Sequence, residues 1–210
     1  MRKILIADDH AVVRNGLTKI LKEADGGICV DEAENGQEAL AKALQASYEM
    51  VLMDISMPGR GGLEVLKEIK SHRPKLPVLM LSMHPEEEYA VRALRAGASG
   101  YVTKDSAAEE LVGAVRKVLG GGRYVSASLA EKLAFEMEAD VDRPPHEILS
   151  DREFQVMRMI ASGKTVKEIA QELSLSVKTI STYRSRILEK MRLKNNAELT
   201  RYAFENRLVS

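Results

Sequence analysis

Five short apolar segments alternate with five amphipathic segments over the first 120 residues, and this alternation is what most constrains the fold. Apolar segments of four to seven residues, bounded by polar or turn-forming residues, are typical of strands buried on both faces of a sheet. They are Lys3–Ala7, Ile28–Glu34, Met50–Met53, Val78–Ser82 and Gly100–Thr103. The helical patterns are Ala11–Glu23, Gln37–Gln45, Gly62–Ser71, Glu86–Ala96 and Ala107–Leu119. The alternation predicts an α/β fold, with a doubly wound five-stranded parallel sheet and helices on both faces.

A different pattern follows the fifth helix. Three successive glycines, Gly120–Gly122, are predicted to end that helix because they carry a large entropic cost inside one. Residues 121–146, acidic and closed by Pro144-Pro145, are predicted to be a linker with at most one helix, at Ser128–Met137. The remainder, 147–210, has only helical patterns, which follow a capping box at Ser150–Glu153. We therefore expect a domain at 1–120, a linker at 121–146 and a second, smaller all-α domain at 147–210. The later helices are predicted at Val166–Leu173, Val177–Met191 and Ala197–Glu205.

Charge is distributed unequally although the whole chain is formally neutral. Residues 146–210 hold 12 Lys+Arg and 8 Asp+Glu, a net of +4, which leaves 31 − 12 = 19 basic and 31 − 8 = 23 acidic residues, a net of −4, for the rest. An acidic front and a basic end suit a metal or phosphate site coupled to a domain that binds a polyanion.

Other features of the sequence exclude several classes of protein. Cys29 is the only cysteine, so neither a disulfide framework nor a cysteine metal site is expected. The four histidines lack metal-ligand spacing; they are His10, His72, His84 and His146. No signal-peptide core is recognisable and no apolar run approaches the ~20 residues of a membrane helix. We expect a cytoplasmic protein without a membrane partner.

Acidic residues follow two strands that are neighbours in the predicted sheet. Asp8 and Asp9 come directly after the first strand, and Asp54 directly after the third. In the flavodoxin-like strand order 2-1-3-4-5 these strands are adjacent, and ligands bind beyond the carboxyl ends of such strands. Three converging carboxylates repel one another unless a cation lies between them, and a hard ion with oxygen ligands, Mg²⁺, is the natural choice. Taken alone, either Asp8 or Asp9 is as well explained as a helix cap.

Two more polar residues lie at the carboxyl ends of other strands. Ser82 closes the fourth strand and Lys104 follows the fifth. A hydroxyl donor and an ammonium beside an acidic pocket are what a phosphoryl group on Asp54 requires. Singly, such residues are most often solvated strand ends; in combination with the three carboxylates they predict one site.

The first 120 residues resemble the receiver domain of bacterial two-component response regulators. The resemblance rests on Asp8-Asp9, the run Asp54-Ile55-Ser56-Met57-Pro58-Gly59, Ser82, and Tyr101 three residues before Lys104. It implies that a sensor histidine kinase phosphorylates Asp54, that Lys104 pairs with the phosphoryl group, and that Ser82 moves to bond it while Tyr101 swings inward. It also implies a Mg²⁺ site formed by Asp9, Asp54 and the main-chain carbonyl of Ser56, with Asp8 acting indirectly or through water. Two positions depart from the family pattern, Gly61 in place of Asp or Asn and Asp105 in place of proline.

The C-terminal domain contains two helical patterns joined by a three-residue turn between Thr165 and Arg192, and the last residue of that turn, Ser176, is predicted to be the N-cap of the second helix. At about 100° per residue, the second pattern has an apolar arc of Val177, Ile180, Ile187, Leu188 and Met191. The opposite face is short, polar and partly basic, as suits entry into a DNA major groove; it consists of Lys178, Thr182, Ser185 and Arg186, with Ser181 at its boundary. Thr179, Tyr183 and Arg186 lie towards one edge of it, where side chains reach phosphates. Arg184 projects into the apolar arc and is not expected to read bases.

This region resembles the LuxR-type helix-turn-helix, and with the receiver the chain is similar end to end to NarL/FixJ-family response regulators. The matching residues are Leu149-Ser150-Asp151-Arg152-Glu153, Glu168-Ile169-Ala170, Leu173, Ser176, Lys178-Thr179-Ile180 and Tyr183-Arg184. Val166 and Tyr183 depart from the usual asparagine and histidine. The family forms its DNA-binding dimer through the last helix, so the resemblance implies dimer contacts at Ala197, Leu199 and Thr200.

The expected function is that of a phosphorylation-controlled transcription factor that binds double-stranded promoter DNA as a homodimer. No catalysis is expected beyond Mg²⁺-dependent self-phosphorylation and dephosphorylation at Asp54. Two alternatives stay open: a metal-dependent phosphohydrolase and a regulator whose helical domain binds a protein. The phosphohydrolase would need an aspartate two residues after its nucleophile, where Ser56 stands.

Overall fold

The computed structural model describes residues 2–83, 86–126, 129–131 and 144–209. The chain divides into two compact units, Met1–Glu131 and Lys132–Ser210. The first unit thus includes part of the segment predicted as a linker, while most of the helix predicted at Ser128–Met137 lies outside the described residues. Within the described ranges, no helix combines the length and apolar character needed to span a bilayer.

The first unit is built on five parallel strands in the order β2-β1-β3-β4-β5, which confirms the predicted sheet. The ladder of β3 continues through Asp54, which pairs with Leu81, so Asp54 is the last residue of its strand rather than the first one beyond it. The strands are β1 (Arg2–Ala7), β2 (Ile28–Ala33), β3 (Met50–Asp54), β4 (Val78–Ser82) and β5 (Gly100–Thr103).

Five helices cover the sheet, and their bounds agree closely with the predicted patterns. Residues from alternate positions of the strands, among them Ile4, Ile6 and Leu52, pack in one core with apolar residues of α1 and α5. Strands with both faces buried explain why the strand sequences are almost wholly apolar. The helices are α1 (Ala11–Ala24), α2 (Gly36–Gln45), α3 (Gly62–His72), α4 (Glu86–Arg95) and α5 (Ala107–Leu119).

The segment that follows α5 returns to the edge of the sheet. Gly120 follows the helix and Gly121 has a φ of +84°, a left-handed conformation that glycine adopts without strain. Tyr124 then lies beside β5: its amide donates to the carbonyl of Ser99 at 2.9 Å, and its carbonyl accepts from the amide of Tyr101 at 3.3 Å. A side chain on Gly100 would put Cβ 2.5 Å from the Tyr124 carbonyl oxygen. The start of the predicted linker is therefore attached to the edge of the sheet.

The second unit is helical, as predicted. A 3₁₀ turn at Pro145–Ile148 precedes α6 (Asp151–Ala161), α7 (Val166–Glu172), α8 (Val177–Met191) and α9 (Asn196–Glu205). Each helix starts at a polar residue whose side chain accepts a hydrogen bond from the third residue beyond it; these N-caps are Ser150, Thr165, Ser176 and Asn195. The capping box predicted at Ser150–Glu153 is confirmed, and Ser176 caps α8 as expected.

Glu153 joins the first and third helices of this unit. Its side chain is 4% exposed, and Oε2 accepts hydrogen bonds from the amide and hydroxyl of Ser150 and from Nζ of Lys190 at 2.6 Å. Burial would raise the pKa of this carboxyl, but Lys190 and Ser150 outweigh that effect and hold the pKa below its usual value. A carboxylate so held is stable only while its cation and donors stay in place.

Replacing Glu153 is therefore expected to destabilise the helical unit. Glu153→Gln removes the charge beneath Lys190 and should cost about 1–3 kcal/mol at pH 7, seen as a lower urea midpoint by circular dichroism of the full chain. In wild type this contribution is fully present above the ordinary glutamate pKa and is lost as the pH falls through the lowered value. Glu205→Gln is the matched control, because its pair with Arg201 is exposed and 3.9 Å long. Equal midpoints for the two variants would contradict the assignment.

Candidate functional site

Acidic side chains converge at the carboxyl ends of β1 and β3. One potential ligand atom from each of Asp8, Asp9, His10 and Asp54 lies within 4.8 Å of the others. Asp8 and Asp54 are almost completely buried, and Asp9 is partly exposed. The three carboxylates expected to converge are thus brought together. His10 joins them, which corrects the expectation that no histidine belongs to a site.

Lys104 reaches the same cluster from the end of β5. Its Nζ lies 2.6 Å from Oδ2 of Asp8 and 2.9 Å from Oδ2 of Asp54, and its side chain is 8% exposed. The register of the sheet explains this reach, because the amide of Lys104 donates to the carbonyl of Ser82 at 2.7 Å. Ser82 and Tyr101 are both completely buried on these two strands.

The electrostatics of the cluster follow from burial. Burial raises the pKa of the Asp54 carboxyl, and Asp8 raises it further, although Lys104 opposes both. Burial alone would lower the pKa of the Lys104 ammonium, but Asp54 and Asp8 together hold it above its ordinary value. Three carboxylates and one ammonium sum to a formal charge of 1 − 3 = −2 when all are ionised. A divalent cation would neutralise this sum.

The donor atoms suit a hard cation. Oδ1 of Asp9 is buried and accepts no hydrogen bond, although Nδ1 of His10 lies 3.0 Å away. Oδ2 of Asp8 likewise accepts no well-aligned hydrogen bond despite its short ion pair with Lys104. Buried oxygens with unused lone pairs are the ligands that Mg²⁺ and similar ions require. The cluster is therefore a candidate site for a divalent metal.

The loop after Asp54 turns tightly over the end of β3. The amide of Ser56 donates to Oδ1 of Asp54 at 3.3 Å, and the amide of Gly62 donates to the carbonyl of Ile55 at 3.0 Å. A Cβ on Gly62 would lie 1.9 Å from the main-chain oxygen of Asp54, so only glycine fits there. Gly61, in contrast, has a φ of −71° that any residue adopts, so the departure from the family pattern at that position imposes no backbone strain.

Arg14 is a residue of the site that sequence reasoning missed. Its side chain is 6% exposed, and the guanidinium donates to the main-chain carbonyl of Asp8 at 2.8 Å and to Glu32 and Glu34 at 2.9 Å each. It thereby ties α1 to the loop that carries the cluster. A signal was present in the sequence, because Arg14 shares the buried face of α1 with Leu17 and Leu21. An arginine in an apolar stripe needs buried partners.

In the second unit, α8 presents a polar face. Five of the seven residues expected to contact DNA are exposed and two are half-buried, Thr179 and Tyr183. The exposed ones are Lys178, Ser181, Thr182, Ser185 and Arg186. The opposite face is buried at Ile180, Ile187 and Met191. The prediction that Val177 belongs to the apolar arc is wrong. Its side chain is 46% exposed, because it occupies the first position of the helix.

Arg184 of α8 and Leu199 of α9 both have roles inside this unit. Nε of Arg184 donates to Oδ1 of Asn196 at 2.6 Å, which joins α8 to the start of α9 and agrees with the expectation that Arg184 does not read bases. Leu199 is completely buried within its own unit, so its predicted place at a dimer contact is wrong. The residues Ala197 and Thr200 on the same helix are exposed.

Both units match known domain families. Residues 4–116 match the response regulator receiver domain, and residues 147–203 match the bacterial regulatory proteins of the luxR family. The chain is 39% identical over 210 residues to the response regulator GacA of Pseudomonas syringae pv. syringae (strain B728a), with 100% of the chain and 98% of that protein covered. It is 37% identical over 211 residues to the response regulator UvrY of Escherichia coli (strain K12), with 100% and 97% covered.

Solved structures agree with these matches. One similar structure is RcsB from Salmonella enterica serovar Typhimurium, bound to promoter rprA in the presence of the phosphomimetic BeF₃⁻. Its TM-score is 0.64 and its sequence identity 29%, and the match covers 96% of the present chain and 98% of the RcsB chain. An RcsB–DNA complex is similar with a TM-score of 0.58 and 28% sequence identity, and the match covers 100% of the present chain and 99% of the RcsB chain. Receiver and helix-turn-helix therefore occur in the same order along one chain in these proteins.

Proposed function

Because the chain belongs to the NarL/FixJ family of two-component response regulators, with a receiver and a LuxR-type DNA-binding domain, we propose that phosphorylation of Asp54 by a sensor histidine kinase controls its dimerisation and its binding to promoter DNA. One observation carries this proposal. The ammonium of Lys104 lies within 3 Å of both Asp8 and Asp54 inside a buried acidic cluster. A carboxylate nucleophile beside a fixed cation is the arrangement that phosphoryl transfer needs.

The transfer itself exchanges one bond for another. An oxygen of the Asp54 carboxylate attacks phosphorus, the bond from phosphorus to the imidazole nitrogen of the kinase breaks, and the imidazole leaves. Lys104 moves its pairing from carboxylate to phosphoryl oxygen, and the hydroxyl of Ser82, buried at the neighbouring strand end, donates to another. The new contacts exist only in the phosphorylated state, which is the condition for shifting a conformational equilibrium. Tyr101, on the strand that ends at Lys104, is the residue that we propose to report this change.

We propose Mg²⁺ as the metal, held by Asp9, Asp54 and the main-chain carbonyl of Ser56, with Asp8 close by. The formal charge of −2 and the buried, unbonded oxygen of Asp9 support this choice. Bound there, Mg²⁺ would neutralise charge on the phosphoryl oxygens. Asp8 forms an ion pair with Lys104, and we propose that this pair keeps the ammonium in position beside Asp54.

Arg14 should affect this metal site without touching the metal. Arg14→Gln removes the guanidinium that holds the Asp8 carbonyl, and we expect a roughly 10-fold weaker Mg²⁺ affinity by calorimetric titration. Arg2→Gln is the matched control, because Arg2 lies at the other end of β1 in an exposed ion pair with Asp25. A structural role alone would lower thermal stability while leaving Mg²⁺ affinity unchanged, and that result would count against the assignment.

The second unit is proposed to bind double-stranded promoter DNA through α8. The support is the exposed polar and basic face of that helix, a net charge of +4 for residues 146–210, and the DNA complexes of the similar protein RcsB. Homodimers would form on DNA with Ala197 and Thr200 available at the exposed face of α9.

Self-phosphorylation and dephosphorylation at Asp54 are the only reactions proposed. Neither the phosphohydrolase nor the protein-binding alternative gains support from the site.

Selection of bound fragments from random duplex DNA tests the whole proposal. The wild-type chain is incubated with and without acetyl phosphate and Mg²⁺, in parallel with Asp54→Asn. We expect the phosphoryl donor to enrich specific, two-fold symmetric sequences for the wild type only, with binding that weakens steeply as salt rises. Enrichment that is identical for both proteins would refute control by Asp54. Binding that is insensitive to salt would refute a DNA interface.

A further inference from the structure

The first unit has a concave surface at the end of the strands opposite to the acidic cluster. It lies next to Pro77 and Ser99, which directly precede β4 and β5, whereas the acidic cluster lies where strands end. Its volume is about 450 Å³, within the range of small-molecule sites. We call it the basic cleft, after the cations in its lining: Lys70, Lys75 and Arg123.

The charge of the basic cleft is one-sided. No aspartate or glutamate is among its lining residues in the described part of the chain. This cannot be attributed to an excess of basic residues, because residues 1–131 hold 17 Lys+Arg and 19 Asp+Glu, a net of −2. Three cations around one depression, in a unit that is acidic as a whole, attract anions to that place.

Lys70, one of the residues that line the cleft, is held in position by main-chain carbonyls. Its Nζ donates to the main-chain carbonyl of Leu76 at 2.7 Å and, more weakly, to that of Pro74 at 3.4 Å. Its stem lies against Gly97, where an added Cβ would be 3.2 Å from Cγ of the lysine. Since an ammonium has three N–H donors, these two bonds leave one for a ligand. The cation is thus preorganised, which lowers the entropic cost of binding.

The ammonium of Lys70 is disfavoured both by burial and by the nearby positive charge of Arg123. Burial lowers the pKa of the Lys70 ammonium, and the positive charge of Arg123 lowers it further. Lys75 and Arg123 are exposed and able to turn towards a ligand. An anion between the three would relieve this repulsion.

We propose that the basic cleft binds a small organic phosphate. Phosphate oxygens match three cations that approach from different elements: Lys70 at the end of α3, Lys75 in the loop before β4, and Arg123 after α5. The volume exceeds that of a bare phosphate, and Pro74, Pro77 and Val118 add apolar wall for an organic portion. This site is separate from Asp54, because the two lie at opposite ends of the strands.

Calorimetric titration of the full-length protein with adenosine 5′-monophosphate tests this inference. The buffer is low in salt and contains a chelator, so that the acidic cluster holds no metal. We expect a dissociation constant of about 1 mM or lower for the nucleotide and no measurable binding of adenosine, which lacks the phosphate. No binding of the nucleotide, or equal binding of the two, overturns the proposal.

Variants locate the site. Lys75→Gln and Arg123→Gln remove exposed side chains that lie outside the core, and each is expected to weaken nucleotide binding at least about 10-fold. Lys19→Gln, an exposed charge on α1, should leave binding unchanged, as should Lys178→Ala with Arg186→Ala on α8. Loss in the α8 variant with none in the cleft variants would assign the binding to the DNA-binding face and refute the proposal.

Discussion

Asp54→Asn protein incubated with acetyl phosphate and Mg²⁺ is expected to incorporate no label, whereas the wild type is labelled with one phosphoryl group. The amide of asparagine is too weak a nucleophile to form the bond to phosphorus. None of the neighbouring carboxylates is expected to substitute, because Asp8 and Asp9 lie beyond the end of β1 rather than at the position of Asp54, the last residue of β3. Phosphate incorporation followed by intact-protein mass spectrometry measures the effect, which should exceed about 100-fold.

The matched control is Asp105→Asn. Asp105 is an exposed carboxylate next to Lys104, so the substitution removes the same charge without touching the cluster. Labelling of Asp105→Asn should equal that of the wild type. Persistent labelling of Asp54→Asn would mean that another residue is the phosphoacceptor and would remove the basis for the proposed switch.

Removing both cations from the exposed face of α8 is expected to abolish most DNA binding. Lys178→Ala with Arg186→Ala takes away two cations that are proposed to neutralise phosphates in each protomer, so affinity should fall roughly 10- to 100-fold for every duplex sequence. The slope of log affinity against log salt should become shallower by about 1 for each phosphate that is no longer neutralised. Fluorescence anisotropy over a salt series measures both quantities. Both side chains are exposed, so the weaker binding is not expected to come from unfolding.

Substitution of the residues proposed to contact base edges should change sequence specificity rather than overall affinity. Alanine at Ser181, Thr182 or Ser185 is expected to weaken binding to the selected sequence while leaving other duplexes unaffected. Lys19→Ala, a cation on the first unit, is the control for loss of charge alone. If the hydroxyl variants weaken all sequences equally, these residues contact the backbone. If the double variant binds as tightly as wild type, α8 does not face DNA.

Most of the fold was predictable because it depends on periodicities that neighbouring residues share. The predicted strand bounds were correct to within one residue; β3, for example, ends at Asp54 rather than at Met53. They were predictable because strands buried on both faces are marked at both ends by polar residues. The caps at Ser150 and Ser176 were correct because an N-cap acts on amides only two or three residues away.

The errors fall where a side chain's partner is distant along the chain. Leu199 lies on a helix with a mixed pattern, and only the packing of that helix against its neighbours shows that it is buried. The position of Arg14 on the apolar face of α1 indicates burial, but its partners Asp8 and Glu32 reach it only through the ends of β1 and β2. His10 has no ligand spacing in the sequence, yet the strand order places it beside Asp54, 44 positions later in the chain.

The sequence by itself determined the order of strands and helices, the division into an acidic and a basic part, and the chemical types gathered at the strand ends. Those properties are set by local alternation and by residue identity. Tertiary structure alone decided that Lys104 bridges Asp8 and Asp54, that Arg14 holds the Asp8 loop, and that three cations share one cleft. Such contacts join residues far apart in sequence at distances of a few ångströms, and no local pattern encodes a distance of that kind.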